Sequence, residues 1–322
     1  MKTDPNSLPF RLVSLETLAE EDMMRMHGLM ETCYDHVSFD RFTEDLAKKD
    51  WVLLLPDSSG VIQGFSTLAL NPCGLEESGC DILYSGDTVI HPEHWGGQAL
   101  VRGFFNTAGA ILANRQRRLF WYLLSKGHRT YMYLPLFFKQ YFPATEQSRH
   151  WAKGGELTKF CSEWLFPHSW QPSRGVIHFP EHHDQVKEAL AEDTQRRAGH
   201  RHVDFFLRHN PRFDEGDELV CLAELSPENL RRRARMLIGQ TAGGEREEWD
   251  RPLSAGGAAT DWLRVGLRLL RKVKAHQTEE EIPGEHGLPS IRVPLTEEAI
   301  IAAADSMVPN AFTAAGNGEA DV

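Results

Sequence analysis

Apolar and polar positions in the first half of the chain switch between the two-residue period of strands and the three-to-four-residue period of helices. Residues 10–13 read as a short strand, and Ser14 can cap a helix that starts at Leu15 and buries Leu18, Met23, Met26, Leu29 and Met30 before Tyr34. Ser38 can cap a second, shorter helix over 39–49, with Phe39, Phe42 and Leu46 on one face. Two apolar, β-rich runs, 51–55 and 61–70, flank a Pro-Asp-Ser-Ser-Gly turn, which is a hairpin pattern. A loop broken by Pro72, Gly74 and Gly79 then leads to a third strand over 82–90, so an antiparallel meander is expected. Pro92 ends the ladder, Gly96 and Gly97 let the backbone turn, and Leu100, Val101, Phe104, Phe105, Ala108, Ile111 and Leu112 recur at helical spacing. The continuous apolar run 118–125 is then a buried strand, parallel to its predecessor because a helix crosses between them.

Beyond this strand the pattern loosens. Residues 128–143 are dense in aromatics, and Pro135 argues against one unbroken helix. A short strand is expected over 175–179, a polar helix over 184–197, and a closing pair of strands over 202–208 and 218–224. Ser226, Pro227 and Glu228 supply a cap, a first-turn proline and an acid for a helix reaching Gly239. From Gln240 the composition turns polar and rich in Gly and Ala, so residues 1–240 are expected to form one domain and 241–322 a linker and helical extension with a disordered tail. Residues 261–276 have the pattern of a basic amphipathic helix, able to dock on the body of the protein or to make a peripheral membrane contact, and Thr296 can cap a last helix over 297–307.

A formal net charge of −11 removes the drive to bind a polyanion, so no nucleic-acid partner is expected. Five cysteines without a CxxC spacing argue against a disulfide framework or a thiolate metal site and fit a reducing cytoplasm. The first residues lack the apolar core of a signal peptide, and no run reaches the length of a spanning helix. Fifteen histidines raise the question of a metal. His91 and His94 flank a proline and a turn, which destroys the helical i, i+4 face of an HExxH site. Glu181, His182, His183 and Asp184 form a zinc-type cluster in polar surroundings where a solvated loop is the commoner outcome, so no metal is expected.

Strand, two helices, three antiparallel strands, a glycine turn opening a helix and a parallel strand is an order that resembles the GNAT acyltransferase superfamily over residues 10–143. The acyl-carrier signature of that superfamily is similar to the stretch from Ile90 to Leu100, where Ile90, Pro92 and Gly96 agree with it. Trp95 stands where a basic residue is usual, and Gln98 where a glycine is expected. The resemblance implies an α/β fold with a mixed, mostly antiparallel central sheet flanked by helices. It also implies acyl transfer from a pantetheine thioester, acyl-CoA or acyl carrier protein, to a small-molecule amine, with the thioester as co-substrate and no permanently bound cofactor. Val89 and Ile90 would face the pantetheine arm, and the turn formed by Trp95, Gly96, Gly97, Gln98 and Ala99 would hold phosphate.

An attacking amine must be neutral and a departing thiolate must gain a proton, so a base and an acid are needed. Asp87 and His91 are the candidate bases, and Tyr131 and Tyr133, just after the fifth strand of the meander and crossover, are the candidate acids. A turn aspartate, an exposed histidine and core tyrosines are the plainer roles for the same residues. Phe137, Phe138, Tyr141 and Phe142 offer more apolar wall than a two-carbon acyl group requires, which resembles members that use long acyl chains. The basic segment 114–118 could meet an acidic acyl carrier protein or simply cap a helix end. The alternative to an enzyme is a non-catalytic acyl-CoA or acyl-carrier binding module with the same fold.

Overall fold

The computed structural model describes residues 8–73, 79–115, 117–145, 151, 153–179 and 184–238. The expected C-terminal extension, with its 261–276 and 297–307 helices, lies outside these residues. Along the chain, β1 (Arg11–Ser14) is followed by α1 (Glu20–Cys33), β2 (Tyr34–Asp35), α2 (Phe39–Leu46), β3 (Trp51–Pro56), β4 (Ile62–Cys73) and β5 (Cys80–Ile90). Next come α3 (Ala99–Arg115), β6 (Arg118–Ser125), α4 (His128–Tyr131), α5 (Tyr133–Phe137), α6 (Gly154–Leu165), β7 (Trp170–Gln171), β8 (Val176–Ile177) and β9 (Gln185–Val186). The described part closes with α7 (Glu188–Arg196), α8 (Arg201–His209), β10 (Glu218–Glu224) and α9 (Arg232–Ile238).

Eight strands form one sheet in the order β1-β3-β4-β5-β6-β10-β8-β7, and β2 pairs with β9 in a separate ribbon. Within the large sheet β5 and β6 run parallel and their neighbours antiparallel. This is the mixed, mostly antiparallel central sheet expected from the sequence. Ser14 caps as expected, but it caps a single 3-10 turn before α1, and Ser38 accepts from the Arg41 amide at the start of α2.

Alternation along the strands divides the core between the two faces of the sheet. Leu53, Leu83, Leu119, Trp121, Leu123 and Leu219 pack with α3 and α5 on one face. Val52, Leu54 and Phe65 pack with α1 and α2 on the other, and Phe120, Tyr122, Leu124 and Val220 form a neighbouring cluster there with Cys161 of α6. All five cysteines are free and buried. Among the described residues no helix is long and apolar enough to cross a membrane.

Two elements differ from expectation. Residues 202–208 form helix α8 rather than a strand, because His202, Val203, Phe205 and Phe206 are all buried, a pairing that recurs every three residues and that alternation cannot produce. The strand beside β10 is instead the two-residue β8. The turn after Ser226 forms, with the Asn229 amide 3.3 Å from the Ser226 hydroxyl, but Leu230 then bridges Phe138 and the Arg231 amide donates to the Phe137 carbonyl at 2.8 Å. That pairing interrupts the helix until Arg232.

α3 and α9 meet at Gly109, where an added Cβ would lie 2.1 Å from the Ile238 carbonyl oxygen. Gly109→Ala gains about 1 kcal/mol of helix propensity but must displace backbone, which costs roughly 1–3 kcal/mol. Urea denaturation is expected to show a net loss of stability. A more stable variant would refute this close seat of α9 on α3.

Candidate functional site

The site begins where β5 leaves β6. Their parallel register runs from Cys80 opposite Arg118 to Ser85 opposite Leu123 and stops there, while β5 continues to Ile90 against β4. Between the Ser66–Thr88 and Leu68–Ser85 pairs, Gly86 and Asp87 both oppose Thr67, a bulge that rotates the strand. Glycine fits closely at 86: a Cβ would stand 2.6 Å from the Thr67 hydroxyl and 2.8 Å from Cε of Lys49, so those buried side chains would have to shift to admit one.

A cavity opens on each face of the sheet at this gap. On the α1/α2 side lies a polar cavity of about 350 Å³, walled by Tyr34, Phe42, Tyr84, Phe166 and Phe179 and carrying Asp45, Asp87, Lys126, Asp184 and Glu218. On the α3 side lies an apolar slot of about 30 Å³ lined by Leu100, Val101, Phe105, Trp121, Tyr133 and Phe137. Thr88 and Thr130 line both.

Opposite shifts mark two carboxyls of the polar cavity. Burial would raise Asp45, but Lys49 at 2.7 Å and Lys48 at 3.4 Å outweigh it and hold the carboxyl at about 2. Asp87 is raised to about 7, first by burial and then by the charge of Asp45, with Lys49 and Lys126 opposing. Lys126 is paired with Glu218 at 3.2 Å and sits 5.0 Å from the Tyr34 ring centre; burial would lower it, and Glu218 and its other neighbours raise it. Lys49 is buried and lies 5.1 Å from the Tyr84 ring centre.

Of the four candidate catalytic residues, the structure places Asp87 in the polar cavity and Tyr133 in the apolar slot. Burial raises Tyr133 against the nearby Arg129 cation. His91 lines neither cavity; its ring lies near His94 at 6.3 Å. Tyr131 is also outside both, a fully buried core side chain that donates to the Pro143 carbonyl at 3.1 Å and stacks on Phe205.

In the expected donor segment, Val89 is buried against the α1 side and Ile90 pairs with Gly64. The Trp95 indole N–H donates to the Ile90 carbonyl at 2.8 Å, so that carbonyl already has a partner. Gly96 has φ +85, which explains a glycine there, and Gly97 follows without strain. Gln98 is exposed and its carbonyl accepts from the Arg102 amide, setting the start of α3 at buried Ala99. The side chain at 98 therefore turns to solvent.

The basic segment before β6 is largely committed inside the fold. Arg115 and Arg117 pair with buried Asp81 at 2.5 and 3.2 Å, and Arg118 pairs with Glu224 at 3.0 Å. Most of the aromatic run is core: Phe138 and Tyr141 are fully buried, and Phe137 alone of the four reaches the slot. Among the described residues no group of acidic, His and Cys side chains could hold a metal ion; residues 181–183 of the His-rich cluster lie outside them, and Asp184 lines the polar cavity. The sequence does not single out Asp45, Lys49, Lys126 or Glu218 as site residues, and it brings in Asp184 only as a member of the His-rich cluster. The Lys126-Gly127 break at the end of a parallel strand was a signal for one of them, since open sheets place sites at such ends.

No family model matches the sequence, and no curated protein matches it. Solved structures similar to the chain include a conserved protein of Enterococcus faecalis described as a probable N-acyltransferase, at 14% identity and a TM-score of 0.30, covering 41% of this chain and 32% of that one. The chain thus spans about a third of that protein. A GNAT family N-acetyltransferase of Escherichia coli in complex with CoA is similar at 15% identity and a TM-score of 0.28, over 39% of this chain and 67% of that one. A Trypanosoma brucei acetyltransferase is similar at 16% identity and a TM-score of 0.31, over 39% and 90%.

Asp87 also sets a pH signature. An unfolded aspartate titrates near 4, whereas here the group titrates at about 7. The folded state holds the proton more tightly, so its ionisation is increasingly penalised as pH rises from about 4 to about 7 and constantly so above. Asp87→Asn escapes that penalty. Its stability advantage is expected to be smallest near pH 4 and to reach roughly 2 kcal/mol or more at pH 8, read from denaturation midpoints. A difference that stays constant with pH would contradict the raised carboxyl.

Proposed function

We propose that the protein transfers an acyl group from a pantetheine thioester, with acyl-CoA as the donor, to an amine. The observation that carries this is the pair of cavities on opposite faces of one sheet, both lined by Thr88 and Thr130 where β5 parts from β6, with Asp87 on the polar side. Beyond Ser85 β5 has no strand neighbour on its β6 side, and although the Gly86 and Ile90 carbonyls are taken by the Thr88 hydroxyl and the Trp95 indole, this edge offers backbone groups to the amides of a pantetheine arm. The thioester carbonyl then lies at the gap, and the amine approaches from the polar cavity.

Asp87 takes the proton that the amine must lose, and a carboxyl titrating at about 7 is suited to do so near neutrality. The neutral nitrogen attacks the carbonyl carbon, the C–N bond forms and the C–S bond breaks. Tyr133, on the donor side, protonates the departing thiolate and recovers its proton from solvent. An amide and a free thiol result. The small volume of the slot favours a short acyl group over the long chain that the aromatic run suggested.

Incubating the protein with thioesters from C2 to C16 and a pool of amines, and following free thiol, tests the assignment. Amine-dependent thiol release is expected, rising with pH through about 7. Asp87→Asn should lower it by about 10²–10⁴-fold and remove the pH limb. Donor binding without release would instead make this a binding module, and a C12–C16 rate above the acetyl rate would restore the long-chain donor.

A further inference from the structure

The turn from Trp95 to Gln98 has no basic side chain of its own, yet the Arg129 guanidinium lies against it, and two further guanidiniums share the carboxylate that Arg129 pairs with. Arg129 of α4 lies 4.3 Å from the Trp95 ring centre, and the Trp95 bond to the Ile90 carbonyl fixes that ring at the end of β5. Arg129 pairs with Asp193 of α7 at 2.7 Å. The same carboxylate meets Arg197 at 3.2 Å and Arg196 at 3.9 Å, and Arg196 also faces Glu192 at 3.6 Å. Three cations thus share two carboxylates. Buried His128, the neighbour of Arg129, is lowered to about 4, by burial first and then by Arg129, with Asp193 opposing and Arg197 and His200 adding to the effect.

The arrangement leaves the cations available. Arg129 and Arg197 are 45% and 53% exposed, and an exposed ion pair is worth only about 0–1 kcal/mol. A stronger acceptor can therefore take their N–H groups at little cost. The contact with Trp95 positions the Arg129 guanidinium beside the turn, and a phosphate can take over the hydrogen bond that Asp193 now accepts, matching the guanidinium fork with two parallel hydrogen bonds.

We propose that Arg129, held over the Trp95 ring, binds a phosphate of the pantetheine donor together with Arg197, so that the turn borrows its cation from α4 and from the residue that follows α7. The identity of the ligand rests on the acyl-transfer assignment; the residues are assigned by geometry. The phosphate could be the diphosphate of CoA, its 3′-phosphate or the phosphodiester of a carrier-bound arm, which share this chemistry.

Isothermal titration of the full-length protein with CoA, 3′-dephospho-CoA and pantetheine tests the proposal. Arg129→Gln is expected to weaken CoA binding by about 10–100-fold, to leave pantetheine binding unchanged, and to flatten the dependence of CoA affinity on salt. Adding Trp95→Arg in that background should recover much of the loss, because the cation is returned to the turn. If Arg129 affects CoA but not 3′-dephospho-CoA, the 3′-phosphate is the ligand; equal effects on both assign the diphosphate. CoA binding by Arg129→Gln within twofold of the wild type overturns the proposal and leaves the acyltransferase assignment intact. So does an equal loss for pantetheine, which would mark structural damage. A wild-type protein that binds neither CoA nor pantetheine would overturn the donor assignment itself and this proposal with it.

Discussion

The whole site depends on β5 having one partner too few. Up to Ser85 it is held on both sides, by β4 and by β6; from the bulge at Gly86 and Asp87 onward it keeps only β4. Lys49 and the Thr67 hydroxyl occupy the space that a side chain at 86 would need, so the strand crosses them as bare backbone. Backbone groups inside a protein are nearly always paired, and a row left without a strand neighbour in the interior is a place for a ligand rather than a defect. The two cavities and the position of Asp87 follow from this parting.

Electrostatics then separates the acids by role. Asp45 and Asp87 share one cavity, but two lysines fix Asp45 as a permanent anion, whereas Asp87 sits among groups that leave it close to its midpoint near neutrality. Two titratable groups whose surroundings push them apart are the physical basis of an acid–base assignment. Lys49 serves both, since it neutralises Asp45 and tempers the rise of Asp87.

The first half of the fold was legible because its signals are local. Serine caps, the Pro-Asp-Ser-Ser-Gly turn and the apolar run of β6 each settle a few neighbouring residues without reference to the rest of the chain. Asp87 could be placed on β5 for the same reason. Residues 202–208 misled because two adjacent phenylalanines satisfy both a strand and a helix over so short a run, and only packing against Tyr131 and Phe213 decides between them. Tyr131 and Tyr133 are two residues apart and chemically identical, yet one is core and the other lines the slot; short helices around Pro135 make that choice, and no periodicity reports it. Asp184, Lys126 and Glu218 come from three separate segments, so their convergence is a property of the tertiary structure alone.

The pairing of β6 with β10 also bears on the order in which the molecule assembles. The meander of β3, β4 and β5 joins neighbours through short connections, but Leu124 finds Val220 and Lys126 finds Glu218 only after most of a hundred residues have been looped out. Contacts of such separation form late, because the entropy of closing the loop is lost before the contact returns anything. The charge pattern of the polar cavity is therefore among the last features to mature, and a chain with its meander already built still lacks the Lys126–Glu218 side of the cleft.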